Sequence, residues 1–408
     1  MKKVAYVTME PELIPRMALQ ARTLLDNNYK VIHIGWDRRK DYPIEVVANG
    51  VHFIRIPPYL PATRINTSDK QCERTFWGVP GQNGLRNLRI LPILYRNLLK
   101  VLSKEQPDII HCTHVALLPA AVYFGKIKRK KIIYEAVEFY ISQSLKRLPR
   151  FLHFLKRFAI YLEGLLVRHV DAVFCIPSAA NKLFKTYSKN NSVVRELFNV
   201  PVLESNIDKD LYYELKTRYA NRNILVYAGA ISNEKGIINI VRAINNVRIQ
   251  HRNVKLILIG SAIGDDTEIV SQYIEENNIE EYVDIIGFQP YSKLYTYYCI
   301  ADIGIGLIEK NIASKFTKGG SRKLMEYMKA SLALLVTNDG DIGTIVKEEE
   351  CGIVVDMWDE AELTNKMNWL LEHPSDTKKM GERGKVAFQQ KYNWNLESMK
   401  FLEVYNNL

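Results

Sequence analysis

Short apolar runs recur along the chain, and apolar residues return at helical spacing in the stretches between them. In the first half the runs are Lys3–Thr8, Lys30–Asp37, Val51–Pro57, Asp108–Thr113, Lys131–Val137 and Asp171–Pro177, and each predicts a strand. Between the first two lies Met17–Asn27, whose spacing predicts a helix. Runs this short and this continuously apolar belong to a parallel sheet covered on both faces by helices. Asn199-Val200-Pro201 interrupts the alternation and predicts a linker. The pattern then restarts with Ile224–Ala230, Val254–Gly260, Val283–Phe288, Ile300–Ile308, Ala333–Thr337 and Gly352–Asp356. The expected class is therefore α/β, as two doubly wound domains in tandem, 1–200 and 201–394. In such sheets ligands bind beyond the C-terminal strand ends, so the cleft where two such domains face each other is the expected site.

One stretch, Ile300 to Asn338, concentrates candidate chemistry. A strand-like run leads through a polar loop to Gly319-Gly320-Ser321, then a helix, then a second buried run. Ser321 suits a helix N-cap and places Arg322 and Lys323 in the first turn. Cations there oppose the helix dipole by about 0.3–1 kcal/mol each, a misfit that an anion on the helix N-terminus removes. Glu326, three residues after Lys323, shares its face and can reach the hydroxylated part of such a ligand. A phosphate joined to a sugar has both features. A solvated basic helix start beside a surface glutamate has the same sequence, and the segment alone does not separate the two.

Two other strand-to-helix turns look ligand-facing. Gly229-Ala230-Ile231-Ser232-Asn233-Glu234-Lys235-Gly236 offers Ser232 as a cap, Lys235 for a phosphate and Gly236 for close backbone approach, although a lone Lys-Gly is more often a solvated turn. Gly260-Ser261-Ala262-Ile263-Gly264-Asp265 is a second tight turn. Neither carries a Walker A lysine or a GxGxxG spacing, which disfavours an ATPase or a dehydrogenase.

Composition and charge sharpen this picture further. With 47% hydrophobic and 25% charged residues in 408, the chain is an ordinary globular one, too long for a single core. Its five cysteines are scattered without a CxxC pair, which argues against a disulfide framework or a zinc site and fits a reducing cytosol. The longest uncharged apolar run, Val115 to Gly125, is far short of the ~20 residues that span a bilayer, and the N-terminal run reads as a buried strand, not a signal peptide. Charge is lopsided: residues 1–200 hold 32 Lys and Arg against 15 Asp and Glu, the remainder 24 against 30. The first half alone is expected to meet an anionic partner. No nucleic-acid motif supports nucleic acid, which leaves a membrane surface. Ser144–Arg168 interleaves Lys146, Arg147, Arg150, Lys156 and Arg157 with Leu, Phe and Tyr, as surface-lying helices do, although a packed helix with basic edges fits equally.

In order and spacing, E-K-G (234–236), G-x-x-x-G (260–264), V-D-I-I-G-F (283–288), A-D-I-G (301–304), S-R-K-L-M-E-Y-M (321–328) and C-G-I-V-V-D (351–356) resemble the family 4 glycosyltransferases of the GT-B fold. The tail, M-G-E-R-G (380–384) and Y-N-W (392–394), is similar to that family's C-terminal segment, which implies that 395–408 returns to the first domain. In the first half, P-R (15–16), G-W-D-R (35–38), P-D-I-I-H (107–111), L-P-A-A (118–121) and Y-E-A-V-E (134–138) resemble one branch of the family.

The resemblance implies two Rossmann-like domains, the first binding an acceptor and the second a nucleotide diphosphate-sugar. It assigns Lys235 and Lys323 to the diphosphate, Glu326 to the ribose, and Phe288 and Gln289 to the base. Gly229, Gly236, Ser321 and Arg322 then complete the donor site. It also implies retention of anomeric configuration with no metal and no further cofactor. Several positions depart from the family pattern. Ala230 stands where many members have an Arg, a contact that Arg16 or Arg322 would have to supply; Val137 replaces a histidine, Lys318 a glutamate, and Ser331 and Ala333 a Gly and a Pro. His111 and His114 follow a strand end and can face an acceptor, although a structural role is the commoner fate. The expected function is sugar transfer to a glycan or lipid-linked acceptor in cell-surface polysaccharide synthesis, by a cytoplasmic protein peripheral to the inner membrane face. A sugar-nucleotide epimerase and a silent nucleotide-sugar-binding subunit are the alternatives.

Overall fold

The computed structural model describes residues 1–38, 40–57, 90–136, 153–175, 184–187, 193–261, 266–308, 322–338 and 340–408. The chain divides into two compact units, Met1–Phe198 with Glu397–Leu408, and Asn199–Leu396.

In the first unit the strands are β1 (Lys3–Val7), β2 (Lys30–Trp36), β3 (Glu45–Ala48), β4 (Val51–Ile56), β5 (Ile109–Cys112), β6 (Lys131–Ala136), β7 (Ala172–Cys175) and β8 (Val193–Glu196). Their helices are α1 (Pro15–Asp26), α2 (Leu91–Glu105), α3 (Leu118–Ile127) and α4 (His153–Val167). The sheet order is β3-β4-β2-β1-β5-β6-β7-β8, parallel except for β3 against β4. The helix α1 links β1 to β2 in one direction, whereas α2, α3 and α4 precede strands added in the other. Right-handed crossovers therefore put α1 on one face and the other three on the opposite face. Every residue of β5 and β7 is buried, which is why these strands read as unbroken apolar runs.

The second unit carries α5 (Lys209–Arg218), β9 (Asn223–Ala228), a 3₁₀ turn (Asn233–Lys235), α6 (Ile237–Val247), β10 (Val254–Ile259), α7 (Asp266–Glu276), β11 (Val283–Gly287), α8 (Tyr291–Tyr298) and β12 (Ile303–Gly306). It continues with α9 (Arg322–Lys329), β13 (Ala333–Thr337), α10 (Gly340–Glu348), β14 (Gly352–Val355), α11 (Glu360–Glu372), α12 (Pro374–Lys391) and α13 (Trp394–Asn406), whose residues from Glu397 belong to the first unit. The sheet is wholly parallel in the order β11-β10-β9-β12-β13-β14. Strand order reverses between β9 and β12, so the crevice at their C-terminal ends is the switch point at which such sheets bind ligands.

Two strands escaped the sequence pattern, and both lie at the sheet edge. All four residues of β3 are exposed, and β8 buries none of its residues fully, so neither shows an apolar run. Among the described residues no helix is long and apolar enough to cross a membrane.

Candidate functional site

The switch point of the second unit is built by close approaches. The glycines of β12 let α9 lie against the sheet: a Cβ on Gly304 would stand 2.5 Å from the Tyr327 ring, and one on Gly306 2.5 Å from Leu324. The Tyr327 hydroxyl accepts the Ala228 amide at 2.9 Å, which ties α9 to the end of β9. The chain then turns at Gly229, with φ +148°, and its amide donates to Ile259 O at 2.8 Å. Gly260, at φ +154°, sits so close that a Cβ would lie 1.7 Å from the Gly229 carbonyl oxygen. Two turns that must hold positive φ and touch each other explain glycine at both places.

Lys323 projects from the first turn of α9 into this corner. Its Nζ lies 4.0 Å from the centre of the buried Tyr227 ring, and 3.5 Å from where a Gly229 Cβ would be. Burial, and then the charge of Lys235, bring the Lys323 ammonium down from its ordinary 10.5 to about 7. Lys235 ends the 3₁₀ turn and Gly236 follows at φ +64°, where α6 begins. Ser232, expected as the cap, makes no capping bond, because the 3₁₀ turn intervenes and Gly236 occupies the N-cap of α6.

Glu326, one turn further along α9, is only 5% exposed rather than on the surface. Its Oε1 accepts the Tyr291 hydroxyl and lies 3.5 Å from Arg322 Nε. Arg322 also donates to the Tyr291 oxygen, at 2.6 Å from Nη2 and 3.1 Å from Nε. Burial and then the Glu326 charge push the Tyr291 phenol upward, against the pull of Arg322. The first-turn cations therefore have protein partners: a carboxylate and phenol for Arg322, an aromatic face for Lys323. Tyr291 reaches this place because Pro290, in extended conformation, starts α8 directly after the β11 turn. The sequence reading missed it, since nothing separates it from Tyr295, Tyr297 and Tyr298 until its partner, 35 residues on, is placed. In the same turn Phe288 is 59% exposed, and Gln289 is half-buried after Gly287 at φ +74°. Ser321, Gly319, Gly320, Gly264, Lys318 and Val137, and 144–152 of the basic segment, lie outside the described residues.

Arg16 is placed in the first unit, inside a buried polar cluster. Its Nε is 2.6 Å from Glu135 Oε1, which also accepts Gln20 Nε2 at 2.8 Å. Its Nη1 reaches the carbonyls of Leu197 and Phe198 at 3.4 and 3.0 Å. Burial alone would raise the Glu135 carboxyl, but the Arg16 charge and the His111 contact offset it, and it lies at about 2. His111 does not face an acceptor: it is fully buried on β5, 3.0 Å from Glu135 Oε2 and 2.6 Å from the Tyr405 hydroxyl. His114 is 3.1 Å from Thr113 Oγ1, and burial takes it down to about 4. Glu397, also fully buried, accepts the Phe198 amide at 2.9 Å.

Two doubly wound units, the second with its switch point between β9 and β12, define the class: the fold is that of the GT-B glycosyltransferases. HepE of Anabaena, solved in complex with UDP, superposes with a TM-score of 0.71 at 13% identity over the whole of both chains. Sucrose-phosphate synthase of Thermosynechococcus elongatus does so with 0.75 at 14% identity, over 100% of this chain and 99% of that one. Residues 210–387 match the family model described as glycosyl transferases group 1. Among curated relatives, the lipopolysaccharide 1,2-N-acetylglucosaminetransferase of Salmonella typhimurium is 24% identical over 246 residues, 58% of this chain and 62% of that protein. Spore coat protein SA of Bacillus subtilis is 20% identical over 45% of this chain and 48% of its own length. The putative glycosyltransferase EpsD of Bacillus subtilis is 19% identical over 88% and 89%. The chain thus spans less than two thirds of the first two of these relatives.

Proposed function

We propose that this chain transfers a sugar from a nucleotide diphosphate-sugar to a glycan or lipid-linked acceptor. The observation that carries the reading is the Lys323 ammonium, held beside Gly229 and under the charge of Lys235 at the switch point of the second unit. Burial and a second cation both disfavour its charge, and a diphosphate placed there reverses both effects. Two lysines and the Gly229 turn then offset the charge that develops on the leaving diphosphate, so no metal or other cofactor is required. Glu326, held by Tyr291 and Arg322, takes the ribose, and Phe288 and Gln289 flank the base. Transfer with retention of configuration is the form the family resemblance favours. The Anabaena structures hold UDP, and one holds UDP-glucose, so UDP-sugars are the first donors to test. The Salmonella relative works on lipopolysaccharide by its name, which supports a cell-surface glycan and an acceptor at the inner membrane face.

Calorimetry with UDP tests the donor site. Lys323→Ala and Lys235→Ala should each weaken binding by roughly 1.5–3 kcal/mol, and the double variant should be non-additive because both act on one diphosphate. Unchanged affinity in a folded Lys323→Ala protein overturns the assignment. Ala230 and Val137, where the family has Arg and His, favour a silent nucleotide-sugar-binding subunit as second reading. That reading expects UDP binding with no UDP release in the presence of any acceptor, whereas an epimerase would interconvert the donor sugar without one.

A further inference from the structure

The helical layer formed by α2, α3 and α4 on the first unit has an unusual outward face. On α3, Tyr123 and Ile127 are more than half exposed, as are Phe158 and Tyr161 on α4, with Leu162 beside them at 42%. Their spacing is that of one helix face in each case, and α3 packs against α4, so these side chains belong to one surface. Exposed basic residues accompany them: Lys126 on α3, Arg157 on α4 and Arg168 just after it, and Arg96 and Lys100 on the neighbouring α2.

The absence of opposite charge decides what this face fits. The three helices hold two carboxylates, Glu105 and Glu163. Glu163 points inward, buried and accepting the Tyr134 hydroxyl at 2.7 Å; Glu105 lies at the end of α2, 3.4 Å from Lys3 Nζ. Among the described residues of these three helices, the outward surface is therefore aromatic, aliphatic and basic, with no acid on it. A protein partner of mixed charge gains little from such a surface. An anionic bilayer matches it twice, since headgroups meet the Lys and Arg side chains while Tyr and Phe settle at the interface. The lopsided charge of the chain points the same way: the excess of Lys and Arg over Asp and Glu lies entirely within residues 1–200.

We infer that the α2–α3–α4 face of the first unit lies on an anionic lipid surface, with α3 and α4 as the contact helices. This deepens the reading of a membrane-side acceptor. Its test involves no nucleotide and no transfer, so failure here is distinguishable from failure of the donor site.

The experiment is co-sedimentation of the full chain with vesicles of phosphatidylcholine alone, or with equal parts of phosphatidylglycerol. Binding is expected only to the anionic vesicles, with release as salt rises from ~0.1 to ~1 M and the Debye length falls from ~10 to ~3 Å. Lys126→Gln with Arg157→Gln should lower the partition coefficient roughly thirtyfold, about fivefold per charge near the surface. Phe158→Ser with Tyr161→Ser should also reduce binding at low salt, and both pairs are exposed changes that leave the fold intact by circular dichroism. Failure of the wild-type chain to bind anionic vesicles overturns the inference. So does undiminished binding by both variants, which would place the membrane contact elsewhere. If the wild-type chain is a dimer that Phe158→Ser with Tyr161→Ser converts to a monomer, the face is a self-interface and the inference falls.

Discussion

Raising the pH should weaken UDP binding through a single proton on Lys323. In the ligand-free protein this ammonium titrates at about 7, because of burial and the Lys235 charge. If only the charged form holds the diphosphate, affinity follows the charged fraction, which falls about fiftyfold from one half at pH 7 to one hundredth at pH 9. The terminal phosphate titrates near ~6, so the ligand contributes little above pH 7.5. Binding at pH 8 must then take up about 0.9 proton, read by calorimetry in two buffers of different ionisation enthalpy. Lys235→Gln supplies a second signature. It removes one cause of the depression, so the loss of affinity should move to higher pH even as overall affinity drops. A dissociation constant that changes less than about threefold between pH 7 and 9, without proton uptake, would refute the reasoning. The same shift has a consequence without ligand. The unfolded chain holds this proton more tightly than the folded one, so stability should rise as pH goes from about 7 to 10.5.

Three further outcomes follow from the geometry. Tyr291→Phe removes the hydroxyl shared by Glu326 and Arg322, and should weaken uridine and UDP equally, by about 0.5–1.5 kcal/mol in calorimetry. Unequal losses would mean that Tyr291 acts on the phosphates and not through Glu326. Gly260→Ala forces a Cβ into the Gly229 carbonyl at positive φ; urea unfolding should show a loss of about 3 kcal/mol, and a nearly unchanged midpoint would contradict the close approach. Glu135→Gln leaves the buried Arg16 without its countercharge and should destabilise the first unit by about 3–5 kcal/mol at pH 7. Because the Glu135 carboxyl lies at about 2, its contribution is complete above the ordinary carboxylate range and fades as pH falls towards 2. The gap between wild type and variant should close with it.

What the sequence revealed depended on how local each cause is. Strands buried on both faces announce themselves as apolar runs, so the central strands of both sheets could be read directly. The edges β3 and β8 could not, because an exposed strand has no run to read. Lys323 and Glu326 stood out because they share one helix face, a local relation. Their environment did not: Tyr227 and Tyr291 come from other elements, and only the folded chain puts an aromatic face under Lys323 and a phenol on Glu326. Arg16 is the sharpest case. The family resemblance offered this α1 residue as a substitute phosphate contact, yet its partner Glu135 lies 119 residues away on strand β6. Ser232 failed for a smaller reason, since a single 3₁₀ turn moved the helix start to Gly236.

The placement of residues 397–408 in the first unit fixes an order of assembly. Phe401 and Tyr405 are fully buried there, packed against Phe174 and His111, and Glu397 holds the Phe198 amide. On the ribosome, residues 1–198 emerge first, but the space beneath Phe174 stays unfilled until the whole second unit has been synthesised. At about 5–20 residues per second that wait is on the order of ten to forty seconds. The second unit, a continuous stretch of chain, needs no such delay. The half that is made first is thus the half that is finished last, and a stop codon near residue 396 would harm the opposite half of the gene product.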